Sequence, residues 1–439
     1  MTENPLSHPG RRRSDVDYEA GSPGEMRSPR EIRRARYLGI TYLLLAVFVL
    51  WFFGIGSWGE GSAAFGMARP TDTFDWIPDL SVPAGALGLG VAVALAFIGG
   101  VQLVRCFVRW QNRMLAIAFI LFIFAFLGWA AAGKSFNMVG MLRTAVERST
   151  PITFGALAGL LGERVAVINI AIECQLLAGA FAGALVGSLA GNAWPGVAAA
   201  VGIGLLLGWV LAVLAIRYRV DQIIIGVVIN IFVGGLTAFM TIRILATNPH
   251  LNEVPTLRSW RIPGLGDIPV IGPIFFDQTI FVYTSLILVA VLAYALFHTR
   301  WGLQARAVGE HPRAADTVGI NVYRYRYLNV LLGGAVAGFG GAYFTIGTVG
   351  RFDENMTTGR GFIALAAMIF GRWHPVGALS AALIFGFADA LAGKLGILAT
   401  GIPSEFLLMA PYIATLVVVT GLIGKSRPPA ADGQVYTKE

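Results

Sequence analysis

Apolar runs of about 20 residues recur along this chain, and they constrain its fold more than any other feature. A run of that length can cross the hydrocarbon part of a bilayer as one helix, because all its backbone hydrogen bonds are then made internally. Charged residues make up only 13% of the chain, about half of the share that is usual in soluble domains. The composition therefore excludes a soluble globule and a disordered chain, and it predicts a polytopic membrane protein.

The apolar segments predict an all-α transmembrane bundle of about 10–12 passages, including broken or re-entrant helices. An even number of passages places both termini on the same side of the membrane. With the N-terminus inside, most of the 33 Lys and Arg residues fall in cytoplasmic segments, so we expect both termini in the cytoplasm. The segments are 38–53, 85–104, 114–132, 151–162, 166–190, 195–216, 222–242, 279–298, 327–347, 361–371, 375–393 and 404–424.

Two of these segments, 151–162 and 361–371, are too short to span a bilayer at about 1.5 Å per residue. Each ends in a glycine beside a charged residue, and another apolar run follows at once. Broken helices are tolerated in a membrane only where protein or a cavity surrounds them. Their similar form, ALAGLLGER and ALAAMIFGRW, indicates an internal repeat and a transport pathway beside the breaks.

No constellation in the sequence indicates catalysis, so we expect a non-enzymatic chain that binds no ATP, cofactor or metal of its own. The five histidines are too far apart in sequence to predict a metal cluster. No Ser-x-x-Lys or Gly-x-Ser-x-Gly nucleophile is found. The net charge of +8 is explained by arginines that hold loops in the cytoplasm, and not by nucleic acid binding.

The segment 299–326, TRWGLQARAVGEHPRAADTVGINVYRYR, is the longest polar stretch between two apolar segments on the predicted inner face. Pro312 suits the first turn of a helix, and Gly319 suits the position just after its end. Between them, Ala314 and Ala315 give the predicted short helix a face of small residues. The residues by themselves leave two interpretations open, a docking element for a partner and an ordinary capped helix at the membrane surface.

Four stretches carry a resemblance to a known family. The stretches are WGLQARAVGEHPRAADTVGINVYRYRYL (301–328), GERVAVINIAIECQLLAGAFAG (162–183), VDQIIIGVVIN (220–230) and GRFDENMTTGRGFIALAAMIFGRWHPVGAL (350–379). Together they resemble the permease subunits of bacterial ABC importers, in the class that carries nucleosides, simple sugars and branched-chain amino acids. The resemblance extends over about 150–424 and is strongest to the nucleoside branch, as the second of two paired permeases. Ala171 and Cys174, in NIAIEC, stand where that family has glycines.

The resemblance implies partners that supply what this chain lacks. A separate cytoplasmic ATPase would bind ATP and Mg, a second permease would complete a heterodimer, and an extracytoplasmic lipoprotein would deliver the substrate. The chain itself would be a multi-pass protein of the plasma membrane. The residues implied in coupling to the ATPase are Arg306, Gly309, Glu310, Pro312, Arg313, Ala314, Ala315 and Gly319.

The expected organisation has four regions. Residues 1–37 are a disordered basic cytoplasmic tail, and 38–132 hold the N-terminal transmembrane helices with an outer loop at 54–84. Residues 133–424 are the permease core with its coupling loop at 299–326, and 425–439 are a second cytoplasmic tail.

Polar residues inside apolar segments are candidates for the substrate pathway, because an ionised side chain at a helix centre costs about 2.5–3.5 kcal/mol on insertion. Amides and carboxylates can hydrogen-bond ribose hydroxyls or base edges, and a phenyl ring can stack on a base. Alternatively, the amides join helices to each other and Glu173 pairs with Arg164. The pathway candidates are Asn169, Glu173, Asn230, Phe232 and Asp389.

Phe352, Asp353 and Asn355 precede the second short segment in a predicted outer loop, where an outer gate, a contact with the binding protein and a plain solvated loop are all possible. The function favoured by the whole sequence is the permease of an ATP-driven nucleoside importer. An importer of simple sugars or branched-chain amino acids is the first alternative. An ion-coupled secondary transporter that uses Glu173 or Asp389 is the second.

Overall fold

The computed structural model describes residues 29–68, 78–105, 110–398, 406, 409 and 427–438. These residues divide into two compact units, one drawn from Met1–Gly56 and Ala86–Phe126 and the other from Ser57–Gly85 and Leu127–Glu439. Nine of the described helices are long and apolar enough to cross a membrane. The predicted polytopic helical bundle is therefore confirmed, while the segment 404–424 lies almost wholly outside the described residues.

The first unit is built mainly from three apolar helices, α1 (Pro29–Val49), α2 (Ala84–Arg105) and α3 (Gln111–Ala130). α1 continues through a π-helical turn over Leu50–Ile55. The prediction that residues 29–37 are disordered is wrong, because α1 begins at Pro29. Proline suits the first turn of a helix. Residues 1–28 of the predicted tail lie outside the described part of the chain.

A small three-stranded sheet occupies part of the predicted outer loop 54–84 and belongs to the second unit. Its central strand β1 (Ser62–Gly66) is antiparallel to β2 (Leu80–Pro83) and parallel to β3 (Ser135–Asn137). In register, Ser62 lies opposite Pro83 and Ala64 lies opposite Ser135. The apolar pattern did not predict these strands, because they contain only five, four and three residues.

Ten of the described helices form most of the second unit, and their alternating directions gather the loops at two ends. The end that holds 163–171, 213–221, 299–321 and 371–374 is here called the inner end, following the predicted orientation. A two-stranded ribbon, β4 (Trp260–Arg261) and β5 (Asp277–Gln278), lies at the opposite end. The helices are α4 (Met138–Glu163), α5 (Ile172–Ala190), α6 (Ala193–Ala212), α7 (Gln222–Met240), α8 (Ile280–His298), α9 (Arg300–Glu310), α10 (Pro312–Thr317), α11 (Val322–Phe344), α12 (Arg360–Phe370) and α13 (Pro375–Leu398).

The prediction that 151–162 is a separate short passage is wrong. This segment is the second half of α4, a helix of 26 residues that is about 39 Å long at the usual rise. Its first half is not apolar because it carries Arg143, Glu147 and Arg148. Those charges are tolerated because they have partners within the protein, such as Glu147 Oε1, which lies 2.9 Å from Arg143 Nε.

The second short passage is confirmed as α12, which has 11 residues. Its start lies against the start of α5, since a Cβ added at Gly361 would lie 2.5 Å from the backbone nitrogen of Glu173. Both starts lie beside the middle of α4, where Gly155 faces Ile172 and Ala364. The buried N-terminus of α5 and the partly buried N-terminus of α12 therefore meet inside the unit, at a place that we call the central junction (172–175 and 357–361).

Glycines hold α5, α6 and α11 in backbone contact around this junction. A Cβ at Gly179 or at Gly204 would overlap the backbone of α11, at Gly338 and at Gly334 respectively. Small residues let membrane helices approach closely, and close packing is a main source of their association. The three helices consequently form a rigid support for the central junction.

Candidate functional site

The central junction is organised by the carboxylate of Glu173. Its Oε1 accepts hydrogen bonds from Thr357 Oγ1 at 2.6 Å and from the Gly359 backbone N–H at 2.8 Å, while Oε2 accepts one from the Gly361 N–H at 2.6 Å. The first N–H groups of a helix have no partner inside it, and a negative charge is favoured there. Glu173 therefore holds α12 in place, and the predicted partner Arg164 donates instead to the carbonyl oxygen of Trp373, from Nε at 3.0 Å.

The two candidate amides tie chain segments together near the same place. Asn230 Oδ1 accepts a hydrogen bond from the Cys174 N–H, and its Nδ2 donates to the carbonyl oxygen of Ile170, both at 3.0 Å. Asn230 thus joins α7 to the beginning of α5, as the alternative interpretation predicted. Asn169 Nδ2 donates to Gln175 Oε1 at 3.0 Å, but Asn169 Oδ1 is buried without a hydrogen-bond partner. Asn169 keeps an acceptor for a water or a solute.

Asp389 lies between two arginines. Its carboxylate oxygens lie 2.7 Å from Arg148 Nη1 and 3.1 Å from Arg360 Nη2. The arginines come from the middle of α4 and from the start of α12, and the three side chains are 22–37% exposed. Ionisable groups within membrane helices usually face protein or a water-filled path. The sequence indicated Asp389 but not its partners, although an unpaired aspartate in an apolar helix is itself a signal to search for nearby arginines.

The remaining candidates, which are the two phenylalanines and the residues of the predicted outer loop, do not join Asp389 and its two arginines. Phe232 is 64% exposed on α7, whereas Phe352 is 1% exposed and packs edge to face on Phe181, with ring centroids 5.2 Å apart. Asp353 pairs with its neighbour Arg351 at 3.3 Å. Asn355 takes the left-handed backbone conformation, with φ of 53°. Phe352 is therefore a core residue, and Asp353 with Asn355 shapes an exposed loop.

At the inner end, the predicted short helix is present as α10. Pro312 is its first residue, and Gly319, with φ of 85°, lies just beyond its end. α9 precedes it and is capped by Thr299, whose Oγ1 accepts a hydrogen bond from the Gly302 N–H at 3.3 Å. The two helices form a rigid projection between α8 and α11.

The eight candidate coupling residues divide into an outward group and an inward group. Ala315 is 3% exposed, and a Cβ at Gly309 would overlap the carbonyl group of Arg164. The Arg306 guanidinium lies 5.1 Å from the centre of the Phe297 ring. The sequence missed Val318, which is 75% exposed. The outward group consists of Glu310, Arg313, Ala314 and Gly319, with Pro312 partly exposed. Together with Val318, these residues are here called the docking face.

One stretch, GWAAAGKS at 128–135, has the spacing of a phosphate-binding loop, which the sequence reading overlooked. Such a loop lies between a strand and a helix, where backbone N–H groups surround the phosphates. Here Gly128 lies in the last turn of the apolar helix α3, which ends at Ala130, and Ser135 begins strand β3, so the order of elements is the reverse. Lys134 Nζ donates to the carbonyl oxygen of Leu398. This context does not match a nucleotide site, and among the described residues no group of three or more His, Cys, Asp or Glu could hold a metal.

The family model described as branched-chain amino acid transport system / permease component matches residues 141–423, which is more than half of the chain and includes both the central junction and the docking face. The chain belongs to this permease family. No solved structure matches it.

Three curated relatives show which transporter proteins this ABC permease is similar to in sequence. The guanosine ABC transporter permease protein NupQ of Bacillus subtilis is 41% identical over 66% of this chain and 94% of its own length. The nucleoside ABC transporter permease protein NupC of Lactococcus lactis is 40% identical over 69% of this chain and 99% of its own. A putative glucose ABC transporter permease protein, TsgC13 of Haloferax volcanii, is 33% identical over 57% and 76%. These relatives are transporter permeases and not enzymes.

Proposed function

We propose that this permease is the transmembrane subunit of an ATP-driven importer that takes up nucleosides. The observation that carries the proposal is the similarity to NupQ and NupC over nearly their whole lengths. The exposed residues of α9, α10 and the turn after it, named above as the docking face, support the proposal. A charged centre inside the bundle, formed by Arg148, Asp389 and Arg360, supports it as well.

The docking face is connected to the central junction through packed groups. The backbone of Gly309 lies against the carbonyl group of Arg164, and the guanidinium of Arg164 is hydrogen-bonded to Trp373, in the turn between α12 and α13. α12 is held at its other end by Glu173. An ATPase that moves α9 and α10 would therefore also shift α12, and with it the charged centre.

The solute path in this proposal runs beside Asp389 and Arg360, with Asn169 as a further polar contact. Carboxylate, guanidinium and amide groups offer acceptors and donors that suit ribose hydroxyls and base edges. Glu173 and Asn230 position helices in this scheme and do not bind solute. An ion-coupled carrier would need a carboxylate free to exchange a cation. Both oxygens of Glu173 accept hydrogen bonds, and both oxygens of Asp389 are paired with arginines.

The partners proposed are a cytoplasmic ATPase that binds ATP and Mg, a second permease and an extracytoplasmic binding lipoprotein. Both termini would lie in the cytoplasm. Exposed apolar side chains on α7, among them Ile231 and Phe232, offer a surface to lipid or to the second permease. The chain itself would need no cofactor.

The test is uptake of labelled nucleosides by cells that produce the whole importer. Ala314→Trp places a bulky side chain on the docking face and should abolish uptake while the protein stays in the membrane. Ala290→Trp makes the same change at an exposed alanine of α8 and should leave uptake intact. Normal uptake by the Ala314→Trp variant would contradict docking at α10.

Two further uptake experiments test the substrate class and the energy source separately. Excess unlabelled nucleoside should suppress uptake, and excess simple sugar or branched-chain amino acid should not. Vesicles without the ATPase should show no uptake under an ion gradient. Uptake there, lost on addition of an uncoupler, would support the secondary transporter instead.

A further inference from the structure

The segment 427–438 does not project from the inner end but lies folded onto it. The Ala431 N–H donates to the carbonyl oxygen of Gly309 at 3.0 Å, and the Ala430 N–H donates to Glu310 Oε2 at 3.2 Å. Gly433 has φ of 71°, and a Cβ there would lie 2.9 Å from Ile168. We call this segment the inner strap.

Aromatic and charged side chains fasten the far end of the inner strap to the start of α11. The Tyr436 ring is 5% exposed and lies 5.3 Å from the ring of Tyr323. Arg326 Nη1 donates to the carbonyl oxygen of Gln434 at 3.2 Å, and Lys438 Nζ lies 3.8 Å from Asp316 Oδ1. The strap thus bridges α9, α10, α11 and the chain that follows α4.

Polar atoms with unused hydrogen-bonding capacity are buried where the strap meets the bundle. Arg326 of α11 is 2% exposed, and its Nε and Nη2 have no hydrogen-bond partner. On the strap itself, the buried Oδ1 atom of Asp432 also has none. The carboxyl of Asp432 also interacts with that of Glu163, at the end of α4. A closed apolar seam would not leave such groups unpaired, whereas a polar opening that is covered from one side would.

We propose that the inner strap is an inner gate, which covers the inner end of this permease at rest and leaves its seat when the ATPase moves α9 and α10. This gate rests on the proposed function, because the movement comes from ATP hydrolysis by the partner. The reason is geometric: the strap is bonded both to Gly309 and Glu310 on the moving projection and to α11. Displacing the projection relative to α11 has to break one set of these contacts.

The experiment measures the reactivity of single cysteines in inside-out membrane vesicles that contain the assembled importer, with Cys106 and Cys174 replaced by serine. Ala431→Cys reports on the buried middle of the strap, since Ala431 is 3% exposed. Val435→Cys is the matched control, because Val435 is 52% exposed on the same segment. An impermeant maleimide is applied with and without ATP.

At rest we expect Val435→Cys to react promptly and Ala431→Cys to react about tenfold more slowly, because labelling of a buried site follows the population of its open state. ATP should raise the rate at Ala431→Cys about tenfold and leave the control unchanged. Adding Tyr436→Ala should raise the resting rate at Ala431→Cys without ATP, because the ring that anchors the strap is lost.

Equal rates at the two positions at rest would overturn the proposal, since the strap would then be undocked. A slow rate at Ala431→Cys both with and without ATP would also overturn it, since the strap would then be a fixed anchor. An unreactive Val435→Cys would place the strap on the other side and overturn the gate together with the proposed orientation. An ATP-dependent rate in an importer that ignores nucleosides would support the gate while contradicting the proposed substrate.

Discussion

At the scale of single residues, charged side chains inside the bundle have separate tasks. The oxygens of Glu173 are fully engaged by three donors at the start of α12. Asp389, in contrast, faces two arginines in a partly exposed site. From the sequence, both carboxylates were candidates for the substrate pathway. Their partners separate them: Glu173 positions α12, and Asp389 remains a candidate contact for the solute.

Glu173→Ala should destabilise the protein by about 3 kcal/mol, because it leaves two buried donors and one part-buried donor without an acceptor. Thermal unfolding of the purified permease in detergent measures the loss as a lower Tm. Glu253→Ala, at an exposed glutamate, should leave the Tm unchanged. Unaltered stability of the Glu173→Ala protein would show that its carboxylate does not hold α12.

Asp389→Asn should lower nucleoside uptake about tenfold, equivalent to about 1.4 kcal/mol, because the bridge between two arginines loses its charge. A double variant with Arg148→Gln removes the resulting excess of positive charge. If Asp389 contacts solute, adding Arg148→Gln should restore the Tm that Asp389→Asn lowers, but it should not restore uptake. Recovery of both would assign Asp389 a structural role only.

At the scale of elements, α10 combines an inward and an outward alanine in adjacent positions. Ala315 is buried against the rest of the permease, and Ala314 is exposed. The sequence showed a face of small residues but could not tell which alanine faces a partner. The orientation depends on how α9 seats against the chain after α4.

Ala315→Trp should therefore destabilise the fold by about 1–3 kcal/mol through overpacking, with a lower Tm in detergent. Ala314→Trp should leave the Tm unchanged and affect only the assembled importer. The comparison separates loss of docking from loss of folding. Equal Tm values for the two variants would mean that Ala315 is not packed as described.

At the scale of the whole permease, the inner strap connects parts of the sequence that are far apart. Asp432 on the strap faces Glu163 of α4 and Arg326 of α11, and Glu310 of α9 binds its neighbour Ala430. Burial raises the pKa of Asp432 above the usual range of an aspartate. An acid whose pKa is higher in the docked state binds its proton more tightly there, so docking is favoured at low pH.

Release of the strap should therefore become easier as the pH rises through the raised pKa of Asp432. The labelling rate of Ala431→Cys, divided by that of Val435→Cys to remove the pH dependence of the thiol, measures this. The ratio should increase with pH, and Asp432→Asn should flatten the profile. A ratio that falls with increasing pH would contradict the assigned burial of Asp432.

The sequence by itself determined the membrane bundle, the short helix at Pro312, the half-length helix α12 and the family, because these depend on local hydrophobicity, turn chemistry and motifs. It missed the first half of α4, since Arg143, Glu147 and Arg148 are tolerated there through partners in the folded protein. The tertiary structure alone decided which polar groups hold helices together and where the inner strap lies. Those outcomes depend on contacts between residues distant in sequence, such as Glu173 with Gly361, and no local pattern encodes them.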